Sequence, residues 1–175
     1  MHQVSLTDSL TEMPNSRALF THLSSQFGAV STGASGSALL MFDLNGFKAI
    51  NDKYGHQVGD LALREVSAAI RQNVRQGDFC ARYAGDEFVV VLSECGRVEA
   101  ERRAINIQRA VAALHVKVTP SISVGLSISV GVAVSPEDGT EYDDLLAAAD
   151  RRMYQNKASN RTSNWQVGTS LPIAG

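Results

Sequence analysis

The chain has 175 residues, 44% of them hydrophobic and 19% charged. That is enough for one domain with a buried core and too apolar for intrinsic disorder. Lys and Arg number 16 against 18 Asp and Glu, a formal net charge of -2, so there is no bulk basic field for gripping nucleic acid and any phosphate binding must come from local groups.

The remaining exclusions come from pattern. No apolar run is long enough to span a bilayer, and the start MHQVSLTDSLTEMP lacks the layout of a signal peptide. The two cysteines, Cys80 and Cys95, have no metal-ligand spacing. They read as buried thiols of a cytoplasmic protein and not as a disulfide frame.

In chain order, Leu19, Leu23 and Phe27 recur at helical spacing, which predicts a helix over Asn15–Phe27. Ser31–Ser37 is a loop by composition. Ala38-Leu-Leu-Met-Phe42 is a short apolar run ending at Asp43 and reads as a buried strand. Phe47–Tyr54 reads as a short helix, broken by Gly55 to Gly59, with Asp60 as a cap for the next helix. That helix carries Leu63, Val66, Ile70 and Val74 on one stripe.

Phe79–Tyr83 and Phe88–Leu92, separated by Ala84-Gly-Asp-Glu87, form a hairpin signal. Ala100, Ala104, Ile107, Val111 and Leu114 align on a further helix. From Ile122 to Val134 the even positions are apolar and the odd ones Ser, Gly or Ala, which predicts a long strand, or two short strands with a bend at Gly125. Ser135–Gly139 is a turn, Tyr142–Lys157 a helix with Leu145, Leu146, Ala149 and Met153 inward, and the polar tail after Arg161 is expected to fray. Strands interleaved with helices around one hairpin suggest an α/β (α+β) fold, a βαββαβ sheet with helices packed on it.

Three acids stand out. Asp43 ends a buried strand, and Asp86 and Glu87 tip the hairpin. If the strands are sheet neighbours the carboxylates converge, and such a cluster of hard oxygens suits Mg²⁺ with substrate phosphates completing its shell. Acids in turns are more often solvated punctuation, but one directly after Leu-Leu-Met-Phe needs a partner. Asn51 and Asp60 lie in a glycine-punctuated stretch with Lys48 and His56; an amide and a carboxylate together can read a guanine edge. Taken singly, Asp60 is a helix cap and His56 a structural histidine. Lys157 and Arg161, one helical turn apart, either complement a helix dipole or clamp a triphosphate.

Arg82-Tyr-Ala-Gly-Asp-Glu-Phe88 resembles the signature of GGDEF domains, the diguanylate cyclases. Asp8-Ser-Leu-Thr-Glu-Met-Pro-Asn15 resembles the family's opening DxLTxLxN motif, and Asp43 through Asp60 its metal and guanine segment. Ser129–Ala133 and Ala149–Lys157 resemble its late strand and last helix. The resemblance runs from Asp8 to about Arg161 in the family's order, and an ordered set is far more specific than one short string.

The resemblance implies a palm-like sheet and condensation of two GTP into cyclic di-GMP with release of two pyrophosphates. It implies Mg²⁺ (or Mn²⁺) held by Asp43, Asp86, the Leu44 carbonyl and Glu87. Asp86 and Glu87 are the catalytic acids, with the group that deprotonates the attacking 3′-hydroxyl left open between them and a metal-bound hydroxide. Asn51 and Asp60 match the guanine readers, with His56 beside them, and Lys48, Lys157 and Arg161 the phosphate contacts. Arg75-Gln-Gly-Asp78 resembles the RxxD inhibitory site, where Arg75 and Asp78 would bind cyclic di-GMP as feedback inhibitor. One domain holds one GTP, so a two-fold homodimer is implied, with a sensor domain upstream in a full-length parent.

The expected division is a linker remnant at 1–7, the GGDEF domain at 8–162 and a flexible tail at 163–175. Three positions depart from the pattern: Ala84 for the first signature glycine, Asn45 for a frequent acid and Ser16 for a frequent Arg. The competing readings are a GGDEF module that senses GTP or cyclic di-GMP without turnover, and, less favoured because Asp60 is an acid, a cyclase that also uses ATP and makes cyclic GMP–AMP.

Overall fold

The computed structural model describes residues 4–28 and 36–169, with the side chains of 27, 28 and 161–169 excepted. The expected loop at Ser31–Ser37 therefore falls largely outside the described residues. The elements are α1 (Ser16–Gly28), β1 (Ala38–Leu44), α2 (Phe47–Tyr54), α3 (His56–Gln72), β2 (Phe79–Ala84), β3 (Glu87–Leu92), α4 (Arg97–Ala112), β4 (His115–Thr119), β5 (Ile122–Gly125), β6 (Ile128–Val134) and α5 (Tyr142–Thr169).

The main sheet has the order β2-β3-β1-β6, and each neighbouring pair is antiparallel. The buried run of β1 therefore lies between the hairpin and β6. Its residues alternate between two cores, as the two-residue pleat requires. Leu40, Phe42 and Leu44 join Leu63, Val66 and Ile70 of α3 and Ala104, Ile107 and Val111 of α4 on one face. Leu39 and Met41 join Leu19 and Leu23 of α1 and Leu145, Ala149 and Met153 of α5 on the other. By the same alternation Asp43 points to the α5 side, and so does Glu87, which shares the parity of Val89 and Val91.

The alternation over Ile122–Val134 resolves into two strands in different sheets. β5 pairs only with β4, a strand not anticipated from the sequence, while β6 pairs with β1. The break falls at Gly125–Ser127. The small odd positions of β6 are not solvent-facing: Ser129 and Ala133 are fully buried because α5 lies directly on them. A Cβ built at Gly131 would overlap the Ala149 carbonyl and the Met153 backbone nitrogen, so this contact between helix and strand requires glycine.

Val74 and Leu114 fall just past the ends of α3 and α4, and two boundaries differ by more. α3 begins at His56, after Gly55 at φ 94°, so Asp60 lies in its second turn and is not its cap. Gly55 reverses the chain at a conformation that L residues rarely adopt, and the cap and the helix both start five residues earlier. α5 continues as helical backbone to Thr169, past the expected end at Lys157 and into the stretch expected to fray. No Gly or Pro interrupts the chain before Gly168. The β6–α5 connection is fixed by Asp138, which accepts hydrogen bonds from Arg152, Arg97 and the Val134 N–H. These partners, the Arg152 guanidinium foremost, hold its carboxyl far below the usual carboxylate range.

Candidate active site

Pairing of β1 with β3 puts Asp43 directly opposite Glu87, and the Leu44 N–H donates to the Asp86 carbonyl at 3.1 Å. The strand end and the hairpin tip thus meet, and the Asp86 carboxyl lies close enough to Asp43 for their charges to interact. Asp43 is 8% exposed. Its Oδ2 accepts from the Lys157 ammonium at 2.5 Å, and its Oδ1 is buried with no hydrogen-bond partner.

Burial, followed by the neighbouring Asp43, pushes the Asp86 carboxyl up to about 6, with Lys157 opposing. Burial also raises Glu87, with Asp43 and Asp150 adding to it and Lys157 again opposing. Crowded carboxylates with too little positive charge favour a proton or a cation. The orphaned Asp43 oxygen and this set of hard oxygen donors fit a small divalent ion. Among the described residues no three Asp, Glu, His or Cys side chains are gathered closely enough to hold a metal by themselves. Asp43, Asp86 and the Leu44 carbonyl would supply part of a shell that substrate oxygens complete.

Beside the acids lies a cavity of ≈ 470 Å³ lined by Leu44, Asn45, Gly46, Phe47, Lys48, Asp86, Ser127, Lys157 and Asn160. Its floor is the start of α2. The cap residue Gly46 sits at φ 67° and offers no side-chain hydrogen bond to the helix, which leaves backbone N–H groups and the positive end of the dipole facing the cavity. With Lys48 and Lys157 on its walls, the cavity suits a polyanion.

Of the residues singled out in the sequence, Leu44, Lys48, Asp86 and Lys157 line the cavity, and Asp43 and Glu87 sit beside them. Asn51, Asp60 and His56 are not in its lining. Asn51 packs against Gly59: a Cβ there would overlap the Asn51 carboxamide oxygen, which is buried and without a partner. The amide is thus set next to Asp60 at the α2–α3 corner. His56 is exposed at the first turn of α3. Arg161 lies on α5, its side chain outside the described set.

Arg75 and Asp78 form an ion pair at 3.6 Å, with the Asp78 side chain 2% exposed and Arg75 48%. Asp78 accepts the Arg75 and Ser93 N–H groups. It closes the turn into β2, about 20 Å along the strand from the tip.

Asn45, Ser127 and Asn160 were not singled out as site residues. Asn45 donates to Ser127 Oγ at 3.0 Å and accepts from Ser129 Oγ at 2.7 Å, and Asn160 donates to Ser129 Oγ at 3.3 Å. The hairpin tip is tied down from the other side. Arg82 donates to both oxygens of Asp8 at 3.1 Å and to the Gly85 carbonyl at 2.7–2.9 Å. Ala84 does not take a positive φ, unlike Gly46, Gly55, Gly77 and Gly139, so its methyl brings no backbone strain.

An antiparallel sheet between two helical layers, with paired acids beside a lysine-walled cavity, defines a mixed α/β domain with a polar cleft at its sheet end. The chain belongs to the diguanylate cyclase GGDEF-domain family, whose model matches residues 5–163. It is 34% identical over 168 residues to the diguanylate cyclase DosC of Escherichia coli K12, covering 95% of this chain and 36% of DosC. The chain thus spans about a third of that relative's length. Among solved structures it resembles the GGDEF domain of PA1120 (TpbB or YfiN) from Pseudomonas aeruginosa, with TM-score 0.81 and 33% identity over 87% of this chain and 89% of that one. It also resembles the coiled coil and GGDEF domain of DgcB from Caulobacter crescentus in complex with c-di-GMP, with TM-score 0.79 and 25% identity over 88% and 81% of the two chains.

Proposed function

We propose that this domain condenses two GTP into cyclic di-GMP and two pyrophosphates. The observation that carries the reading is the meeting of Asp43 with Asp86 and Glu87 at one end of a cavity walled by Lys48 and Lys157. In each half-reaction the 3′-oxygen of one nucleotide forms a bond to the α-phosphorus of the other, and the bond to the pyrophosphate oxygen breaks. A bound Mg²⁺ or Mn²⁺ supplies charge neutralisation at the reacting phosphate. Asp43, Asp86 and the Leu44 carbonyl would hold it, with Glu87 alongside. Lys48, Lys157 and Arg161 bind the phosphates, and the α2 N-terminus orients them. Asn51 and Asp60 read guanine, with His56 at their rim. Asp86 or Glu87, at the end of the cavity, would take the 3′-hydroxyl proton.

One cavity serves one GTP, so catalysis needs a second copy facing the first across a two-fold axis. Cyclic di-GMP inhibits through Arg75, whose half-exposed guanidinium stands away from the reaction centre, and Asp78, which holds the turn that presents it. The catalytic unit is 8–162; residues 1–7 link it to a sensor domain in a longer parent, and 163–175 follow it as a tail. No helix among the described residues is long and apolar enough to cross a membrane. A cytoplasmic site of action follows from the proposed GTP substrate and fits the free thiols Cys80 and Cys95. The sensor reading would draw on Ala84, which stands where the signature has its first glycine; its backbone carries no positive φ, so strain there does not argue against turnover.

Incubation with GTP and Mg²⁺ tests the proposal: cyclic di-GMP and pyrophosphate are expected in a 1:2 ratio, as the stoichiometry of the reaction requires. Tight GTP binding without pyrophosphate release would favour the sensor.

A further inference from the structure

Resting on the reading of the cavity as a GTP site, we propose that Lys157 is the resident cation of the acid cluster and makes binding of a divalent ion conditional on binding of the triphosphate. Asp43 is almost wholly buried, and of its two oxygens one is held by the Lys157 ammonium while the other has no partner. Asp86 and Glu87 face the same carboxylate, and Lys157 is the cation that offsets the repulsion at both. The ammonium thus already does part of what a metal ion would do there.

A divalent ion arriving alone must either displace this ammonium from Asp43 or sit on the same carboxylate within a few ångström of it. In a part-buried site, two cations that must share one carboxylate repel strongly. A triphosphate changes the balance. Lys157 also lines the cavity, so the polyanion offers its ammonium a second partner, and Asp43 is then free to take the ion that arrives with the nucleotide.

The exchange is confined to the side chain, because α5 cannot follow it. Asn156, the residue before Lys157, accepts the Val130 N–H at 2.9 Å and Gln108 Nε2 at 3.3 Å. Three residues beyond Lys157, Asn160 is held by Ser129, and Gly131 locks the preceding turns onto β6. Only the four-carbon stem of the lysine is left to swing between carboxylate and phosphate.

Mn²⁺ titration followed by electron paramagnetic resonance, without nucleotide and near neutral pH, tests this. Lys157→Met is expected to bind Mn²⁺ about ten-fold tighter than wild type, and Lys157→Arg, which keeps the charge, to match wild type. Equal or weaker binding by Lys157→Met, with its fold verified by circular dichroism, would overturn the proposal. Wild-type protein supplies an independent arm. The ¹⁵N signal of the Lys157 ammonium should hold under Mg²⁺ alone and move when Mg²⁺ is added with a non-hydrolysable GTP analogue. A shift under Mg²⁺ alone also overturns it. The underlying site reading fails separately, if the analogue does not bind at all.

Discussion

Asp86 is held where its own charge is disfavoured. In an unfolded chain an aspartate titrates near 3.8, and in this fold burial and Asp43 raise the group to about 6. A raised acid binds its proton more tightly in the folded state. Its stabilising contribution is therefore present below about pH 4 and is lost as pH rises through about 6. Asp86→Asn removes the charge and keeps the shape. In EDTA it should stabilise the protein by about 1 kcal/mol near pH 7.5, allowing for screening at a partly exposed site, and give no gain at pH 4. Urea midpoints at the two pH values check this; a lower midpoint at neutral pH would mean that the acid is satisfied without a metal.

At this scale Asp43 was legible, because a carboxylate following four apolar residues has to be buried. Asn45, Ser127 and Asn160 were not. Their role arises from hydrogen bonds between residues more than 30 positions apart in the chain, which leave no local spacing to read.

Among the elements, the α2–α3 corner is built around Gly59. Because a Cβ there meets the Asn51 carboxamide and the Phe47 ring, Gly59→Ala should push Asn51 aside while the helix gains propensity. The expected result is a KM for GTP raised by about ten-fold, the loss of roughly one hydrogen bond to the guanine, with little change in melting temperature. An unaltered KM would remove Asn51 from guanine recognition.

The helices and the hairpin could be read from periodicity and turn residues, and so could the core stripe of α3. The split of Ile122–Val134 was visible only as an option. Alternation records which side each residue faces and not which sheet it joins, and β4, with its short Val-Lys-Val run, was obscured by the end of α4. The small residues of β6 carried a second message: both faces of that strand are covered, one of them by a helix close enough to need Gly131.

Among the described residues, Asp43, Asp86 and Glu87 stand at the end of one cavity, with Arg75 a strand's length away. The reaction proposed for it joins two nucleotides symmetrically, so half of the chemistry has to come from another copy. In DosC the matched region is about a third of the protein, which leaves room in such relatives for parts that bring two domains together. An isolated domain has only its own concentration to do this. The most direct measurement is the rate of cyclic di-GMP formation from GTP and Mg²⁺ across a wide range of protein concentration. The account predicts that the rate per molecule rises with concentration until dimers saturate. A rate per molecule that stays constant from the most dilute sample upward, or no product at any concentration, would contradict it.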